Sequence, residues 1–188
     1  MATYYIQQNL LTAKYPTIVR NEAGEPLYLM IGKWGNRGDV LSLYTLNGDL
    51  VAKVKQSRVA FKQGARFDLY LGDEKVGILH RFLQQYLDLY YIFKLKWWVV
   101  GNIPQHQYQI KRHNGMVMTM QKYYHATGDF YELDVTDDAD APLCICIASV
   151  LDYWLRNRST QHSFISPNKV PNLDIQSFEK RLRSQIYE

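Results

Sequence analysis

Side chains able to do chemistry are scattered along this chain, and the cationic ones come closest to making a set. One glycine-rich stretch, Gly32-Lys33-Trp34-Gly35-Asn36-Arg37-Gly38, has glycines close enough for backbone amides to approach a phosphate. A phosphate loop also needs a helix amino terminus behind it, and no helix pattern follows here, so a hairpin or barrel corner is the better reading. Its Lys33 and Arg37 still carry charge that can hold an anion. A denser run lies in 50–67, where Lys53, Lys55, Arg58, Lys62 and Arg66 occur without a single acid. Each such charge close to an anionic lipid surface contributes about 1 kcal/mol, so these seven residues are the candidate lipid- or anion-binding set. The opposite bias appears in 129–140, with Asp129, Glu132, Asp134, Asp137, Asp138 and Asp140 and no base. That spacing lacks the glycine at the sharp turn of a calcium loop and reads as an acidic hairpin tip. The molecule is therefore expected to be electrically lopsided.

Catalytic constellations are not found. His80, His106, His113, His125 and His162 include no pair at close metal-ligand spacing, and no serine sits in G-x-S-x-G. Cys144 and Cys146 are the only cysteines, two apart, which suits neither a paired metal motif nor a disulfide framework. Both fall on an apolar helical run, where burial raises a thiol pKa and leaves it inert. The pairs Tyr90-Tyr91, Trp97-Trp98 and Tyr123-Tyr124 could stack bases, but adjacent strand residues face opposite sides, so one of each pair should be core. A net charge of +4 is also too mild to imply nucleic acid. No catalytic residue, metal or cofactor is expected, and no nucleic-acid partner.

The elements that must position these residues are mostly strands. With 188 residues, 47% apolar and 21% charged, the chain has the size and composition of one globular domain plus a short appendage. Fifteen Tyr, seven Phe and four Trp favour pleated structure. Turn signals recur at Asn21-Glu22-Ala23-Gly24, Asn47-Gly48-Asp49, Leu71-Gly72-Asp73, Asn114-Gly115 and Asp137-Asp138, and glycines 24, 48 and 72 are spaced by 24. The next step lands near Lys96-Trp97, which makes a hairpin repeat. Alternation of period two predicts twelve antiparallel strands near 4–8, 16–20, 27–34, 40–45, 50–56, 66–71, 75–82, 87–96, 98–102, 108–112, 116–123 and 129–135. In 50–56, Ala52 and Val54 should point to one face and Lys53 and Lys55 to the other.

Asp140-Ala141-Pro142 then supplies an N-cap and an early proline, and 143–155 follows with only Ser149 and Asp152 polar. A helix over 142–156 results, apolar on nearly every side and too short to span a bilayer unaided. The rest is polar, with prolines at 167 and 171, and becomes helix-like again from about Leu173. The boundary is set at a barrel over 1–157 and an extension over 158–188. The first residues have no basic segment leading into an apolar core, and no run of about 18 apolar residues occurs, which predicts a cytoplasmic protein without a transmembrane segment.

A helix buried all round needs a sheet that wraps it. Tyr5-Ile6-Gln7-Gln8, Gly38-Asp39-Val40-Leu41-Ser42-Leu43-Tyr44, the stretch Asn47-Gly48-Asp49-Leu50-Val51-Ala52-Lys53-Val54-Lys55-Gln56 and the terminal apolar helix complete the pattern. Over about residues 3–157 the chain resembles the LURP-one-related family of the tubby C-terminal-like superfamily. The resemblance implies a mainly β fold, a twelve-stranded closed barrel around a central hydrophobic helix. It also implies a non-enzymatic module, since some tubby-like members bind phosphoinositides through surface lysines and arginines and lipid scramblases are related. Peripheral contact with anionic membrane lipids is the favoured expectation. A structural, protein-partner or self-associating role, and a ligand carrier or enzyme at the barrel mouth, stand as alternatives.

Overall fold

The structure is a computed structural model that describes residues 1–7, 16–32, 41–57, 66–82, 89–125 and 128–159. These form twelve strands and one long helix: β1 (Ala2–Gln7), β2 (Thr17–Asn21), β3 (Pro26–Gly32), β4 (Leu41–Thr45), β5 (Leu50–Gln56), β6 (Arg66–Leu71), β7 (Glu74–Phe82), β8 (Leu89–Phe93), β9 (Trp97–Asn102), β10 (Gln107–Arg112), β11 (Gly115–His125), β12 (Gly128–Val135) and α1 (Ala141–Ser159). Each strand pairs antiparallel with its sequence neighbours, and β1 pairs with β12 to close the barrel. Closure leaves no sheet edge for another chain to extend.

Alternation sets which face is which. Ala52 and Val54 are buried while Lys53 and Lys55 face outward, and the same rule buries Leu41 and Leu43, Phe67 and Leu69, Tyr90 and Ile92. Register shifts between Val19 and Arg20, Leu43 and Tyr44, Leu69 and Tyr70, and Ile110 and Lys111 add the local bends that curve a sheet into a barrel.

About eight strands make a barrel whose own side chains fill it, so twelve leave a central void. A helix about 10–12 Å across fills such a void. Residues 141–152 of α1 are buried without exception, with Ile145, Cys146, Ile147 and Val150 at 0% exposure. Ser149 sits in this interior because its hydroxyl donates to the Ile145 carbonyl at 2.8 Å and lies 3.1 Å from the Met30 sulfur. The helix enters after a short 3-10 turn, Asp138–Asp140, capped by the Asp137 carboxylate, which accepts from the Ala139 amide at 3.1 Å. Among the described residues no helix is long and apolar enough to cross a membrane.

The strand expectations hold with shifts of a residue or two. The largest correction is at 87–96, where the strand stops at Phe93. Lys94 and Lys96 take positive φ (71° and 56°) and turn the chain without glycine or asparagine. The helix is longer than 142–156, reaching from Ala141 to Ser159. The acidic run is also not a single hairpin tip. Asp129, Glu132 and Asp134 are strand residues of β12, and only Asp137, Asp138 and Asp140 lie at the junction with α1.

Up-and-down connectivity gives the barrel two unlike ends. At the turn end, β2–β3, β4–β5, β6–β7, β8–β9 and β10–β11 join through tight turns and α1 begins. The other, the loop end, gathers the strand termini Gln7, Thr17, Gly32, Leu41, Gln56, Arg66, Phe82, Leu89, His125 and Gly128, and α1 finishes there.

Candidate functional site

Of the seven candidate cations, Lys53 and Lys55 lie on β5 and Arg66 on β6. Lys33, Arg37, Arg58 and Lys62 lie outside the described residues, as does the extension from 160 onward. Lys53 pairs across the sheet with Tyr70 and Lys55 with Asp68. The Tyr70 ring sits 5.3 Å from the Lys53 ammonium and 5.6 Å from that of Lys55, a cation–π platform shared by both. Lys53 also bridges Asp73, and its hydrogen bond holds the Asp73 carboxyl below the usual range. Lys75 bridges Asp68 at 2.9 Å. This outer face is therefore a mixed network and not a bare basic patch. Arg66 stands opposite His80, whose pKa is lowered by burial and by that guanidinium.

Sequence reasoning missed a buried acid. Asp152, 1% exposed on α1, accepts a hydrogen bond from the Tyr131 hydroxyl on β12. His106 Nδ1 lies 3.7 Å from the same carboxylate oxygen, and its ring is 5.1 Å from that of Tyr131. His106 holds a left-handed conformation (φ 55°) at the end of the short 3-10 turn Ile103–Gln105. Nearby, Tyr108 has its pKa raised well above the usual value by burial first and by the Asp152 charge second. The group ties the helix to β12 and to the β9–β10 connection. Its carboxylate is buried, and the group fixes the plug against the wall. The one available signal was an acid alone in an apolar helical run.

Of the six acids of 129–140, Asp129, Glu132, Asp134 and Asp140 also have side-chain partners. Asp134 accepts from the Thr3 hydroxyl at 2.8 Å and the Thr119 hydroxyl at 3.4 Å, while Glu132 accepts from Tyr5 at 3.0 Å and Gln121 at 2.6 Å. These two rungs stitch β1, β12 and β11 where the barrel closes. Beside them a shallow outer groove of about 490 Å³ is lined by Val100, Gly101, Gln107, Gln109, Thr119 and Gln121 among others. Asp129 bridges Lys122 at 2.6 Å, and Arg112 approaches Asp140 at 3.7 Å.

Both cysteines are buried, and burial pushes the Cys144 thiol well above its ordinary pKa and that of Cys146 up to about 12. Among the aromatic pairs, Tyr90 and Trp97 are core and their neighbours face out, as alternation requires. Tyr123 and Tyr124 depart from the rule. Both are exposed, at 54% and 74%, because β11 is the longest strand and its last residues lie at the barrel's loop end.

Comparison with known proteins gives a consistent picture. The uncharacterized protein YxjI of Bacillus subtilis (strain 168) is 20% identical over 164 residues, which is 87% of this chain and 100% of that protein. An X-ray structure of an Arabidopsis thaliana protein superposes with a TM-score of 0.56 at 13% identity, covering 81% of this chain and 90% of the other, and so shares the fold. A family model described as LURP-one-related matches residues 2–152, from the first residue of β1 to the buried Asp152 of the plug. With barrel, central helix and matched interval coinciding, the chain belongs to the LURP-one-related family.

Proposed function

We propose that this protein is a non-enzymatic binding module that attaches peripherally to anionic phospholipid surfaces through its loop end and the adjoining β5–β6 face. Segregation of charge along the barrel axis carries this reading. The turn end holds Glu22, Glu25, Asp49, Asp73, Glu74, Asp137, Asp138 and Asp140 against Arg20, Lys75, Lys94, Lys96, Lys111 and Arg112. In the sequence, the stretches 8–15, 33–40, 58–65 and 83–88 contain Lys14, Lys33, Arg37, Arg58 and Lys62 against Asp39 and Asp88. A molecule with a basic end and an acidic end orients in the field of an anionic surface, and long-range steering then brings the basic end down first. The helix-filled interior supports the same reading, since it turns recognition to the outside of the barrel.

Several cations contributing about 1 kcal/mol each give weak, salt-sensitive attachment. The test is co-sedimentation with vesicles of phosphatidylcholine with and without phosphatidylserine. Binding is expected only to the anionic vesicles, with release as ionic strength rises, because exposed charges are screened beyond about 10 Å at 0.1 M. Changing Lys33, Arg37, Arg58 and Lys62 together to Glu should weaken binding at least tenfold, a loss of about 1.4 kcal/mol. Changing Lys96 and Lys111, toward the turn end, to Glu should leave it within about twofold, well under 1 kcal/mol. Wild-type protein that ignores anionic vesicles at low salt, or a loop-end variant that binds equally well, sinks the proposal.

A further inference from the structure

A second surface of the outer wall differs in chemistry from the basic stretches: the shallow groove of about 490 Å³ over β9, β10, β11 and β12. Val100, Gln109, Thr119 and Asp134 form one rung across it in strand register. One step along the same face, Asn102 stands opposite Gln107 and Gln121 opposite Glu132. These side chains point outward, since Tyr108, Met120 and Leu133 between them are buried. Thr3, Thr119, Tyr5 and Gln121 already donate to the carboxylates of Asp134 and Glu132. The side-chain amides of Gln107 and Gln109, by contrast, make no hydrogen bond to any described residue. Among the described residues the lining also holds no lysine or arginine. The first cation along β10, Lys111, lies beyond it, opposite Trp98.

Trp98 begins an aromatic stripe at the groove's margin. Its ring stands 4.3 Å from that of Tyr91, which meets the Phe93 ring edge-on at 4.9 Å, and all three are half-buried on the outer face. Successive outward residues of one strand are about 7 Å apart, so Trp98 is the immediate neighbour of Val100 on that face. A primary amide has a carbonyl that accepts and an NH2 that donates, which matches two adjacent sugar hydroxyls, each itself donor and acceptor. An aromatic face beside such amides stacks on the C–H face of a pyranose ring.

We propose that this groove is a binding site for a neutral saccharide, with Gln107 and Gln109 meeting its hydroxyls, Asp134 accepting from one more and Trp98 covering an apolar ring face. A phosphorylated or sulfated ligand would meet the Asp134 carboxylate with no cation in the lining to offset it. A hydrocarbon ligand would strip water from the glutamine amides and return no hydrogen bond. The site lies apart from the segments invoked for lipid attachment, and neither reading depends on the other.

The test titrates isotope-labelled protein with neutral tetrasaccharides of glucose, N-acetylglucosamine, mannose and galactose, each to about 10 mM, and follows side-chain amide signals by NMR. At least one should shift the Gln107 and Gln109 amides saturably, with a Kd of about 1 mM or tighter. Gln107→Ala and Gln109→Ala should each weaken that binding about three- to tenfold, while Gln56→Ala on β5 leaves it within about twofold. Both groove variants should unfold at the wild-type denaturant midpoint, as outer-wall substitutions do, so the loss reports on the ligand. A sulfated form of the tightest-binding tetrasaccharide should bind at least about threefold more weakly. If no tetrasaccharide shifts these amides at about 10 mM, or both alanine variants bind as tightly as wild type, the groove is not a saccharide site. A preference for the sulfated form would overturn the assignment to a neutral ligand.

Discussion

Ile147→Asp should unfold the barrel. Ile147 is at 0% exposure on α1, at the centre of the plug. Losing its aliphatic side chain from a packed core costs about 2–5 kcal/mol, judged from truncations to alanine. The new carboxylate would also enter a site with no water and no partner, and even in its protonated form a buried polar group without a hydrogen bond costs about 1–3 kcal/mol. The sum, about 3–8 kcal/mol, is comparable with the lower part of a typical domain stability of about 5–15 kcal/mol. Urea unfolding followed by circular dichroism should find no folded baseline for Ile147→Asp. Ile147→Val should lose only about 0.5–1.5 kcal/mol. Ile18→Asp, on the outer wall, should stay within about 0.5 kcal/mol of wild type. A folded, cooperative Ile147→Asp variant would mean that α1 does not sit inside the barrel.

Gly101→Ala should be the most damaging single methyl added to the wall. Gly101 pairs with Tyr108 across β9 and β10, at φ +130°. A Cβ there would stand 2.7 Å from the Gln107 carbonyl oxygen and 2.8 Å from the Tyr108 Cα, both backbone atoms that cannot swing away. Conformational strain contributes about 1–3 kcal/mol and the overlap, relieved only by parting the strands, about the same again. Gly48, at φ +93° in the β4–β5 turn, has nothing within 4 Å of its would-be Cβ. Gly48→Ala therefore isolates the strain. Gly101→Ala should exceed it by at least about 1 kcal/mol in denaturant unfolding, and equal losses would mean that the close approach of β9 and β10 is not tight.

The fold was largely legible because a barrel imposes one rule everywhere: inside is apolar and outside is polar, so each strand writes a period of two. The helix was legible because its apolar run exceeds the length of any strand in the barrel and opens on Asp140-Ala141-Pro142. Lys94-Leu95-Lys96 was read as strand because lysines at positive φ leave no sequence mark. The site was harder to read for a reason of distance. Asp68 stands opposite Lys55 through strand register and is bridged by Lys75, and Asp73 reaches Lys53 from a turn, so the acids set among this basic run come from beyond Phe67. Asp152 finds Tyr131 and His106 only once the helix threads the barrel.

The plugged barrel is the premise on which both the family architecture and outward-facing recognition rest, and its two thiols report on it directly. Successive helical positions turn by about 100°, so Cys144 and Cys146 project to different parts of the surrounding wall. Both are buried, with thiols held protonated. Folded protein is mixed with a bulky maleimide at neutral pH and modification is followed by mass spectrometry as denaturant is raised. Neither cysteine should be labelled until the chain unfolds, and then both should be labelled together at the rate of global unfolding. Rapid modification of either one in the folded protein would place a side of α1 in solvent and contradict the central-helix barrel.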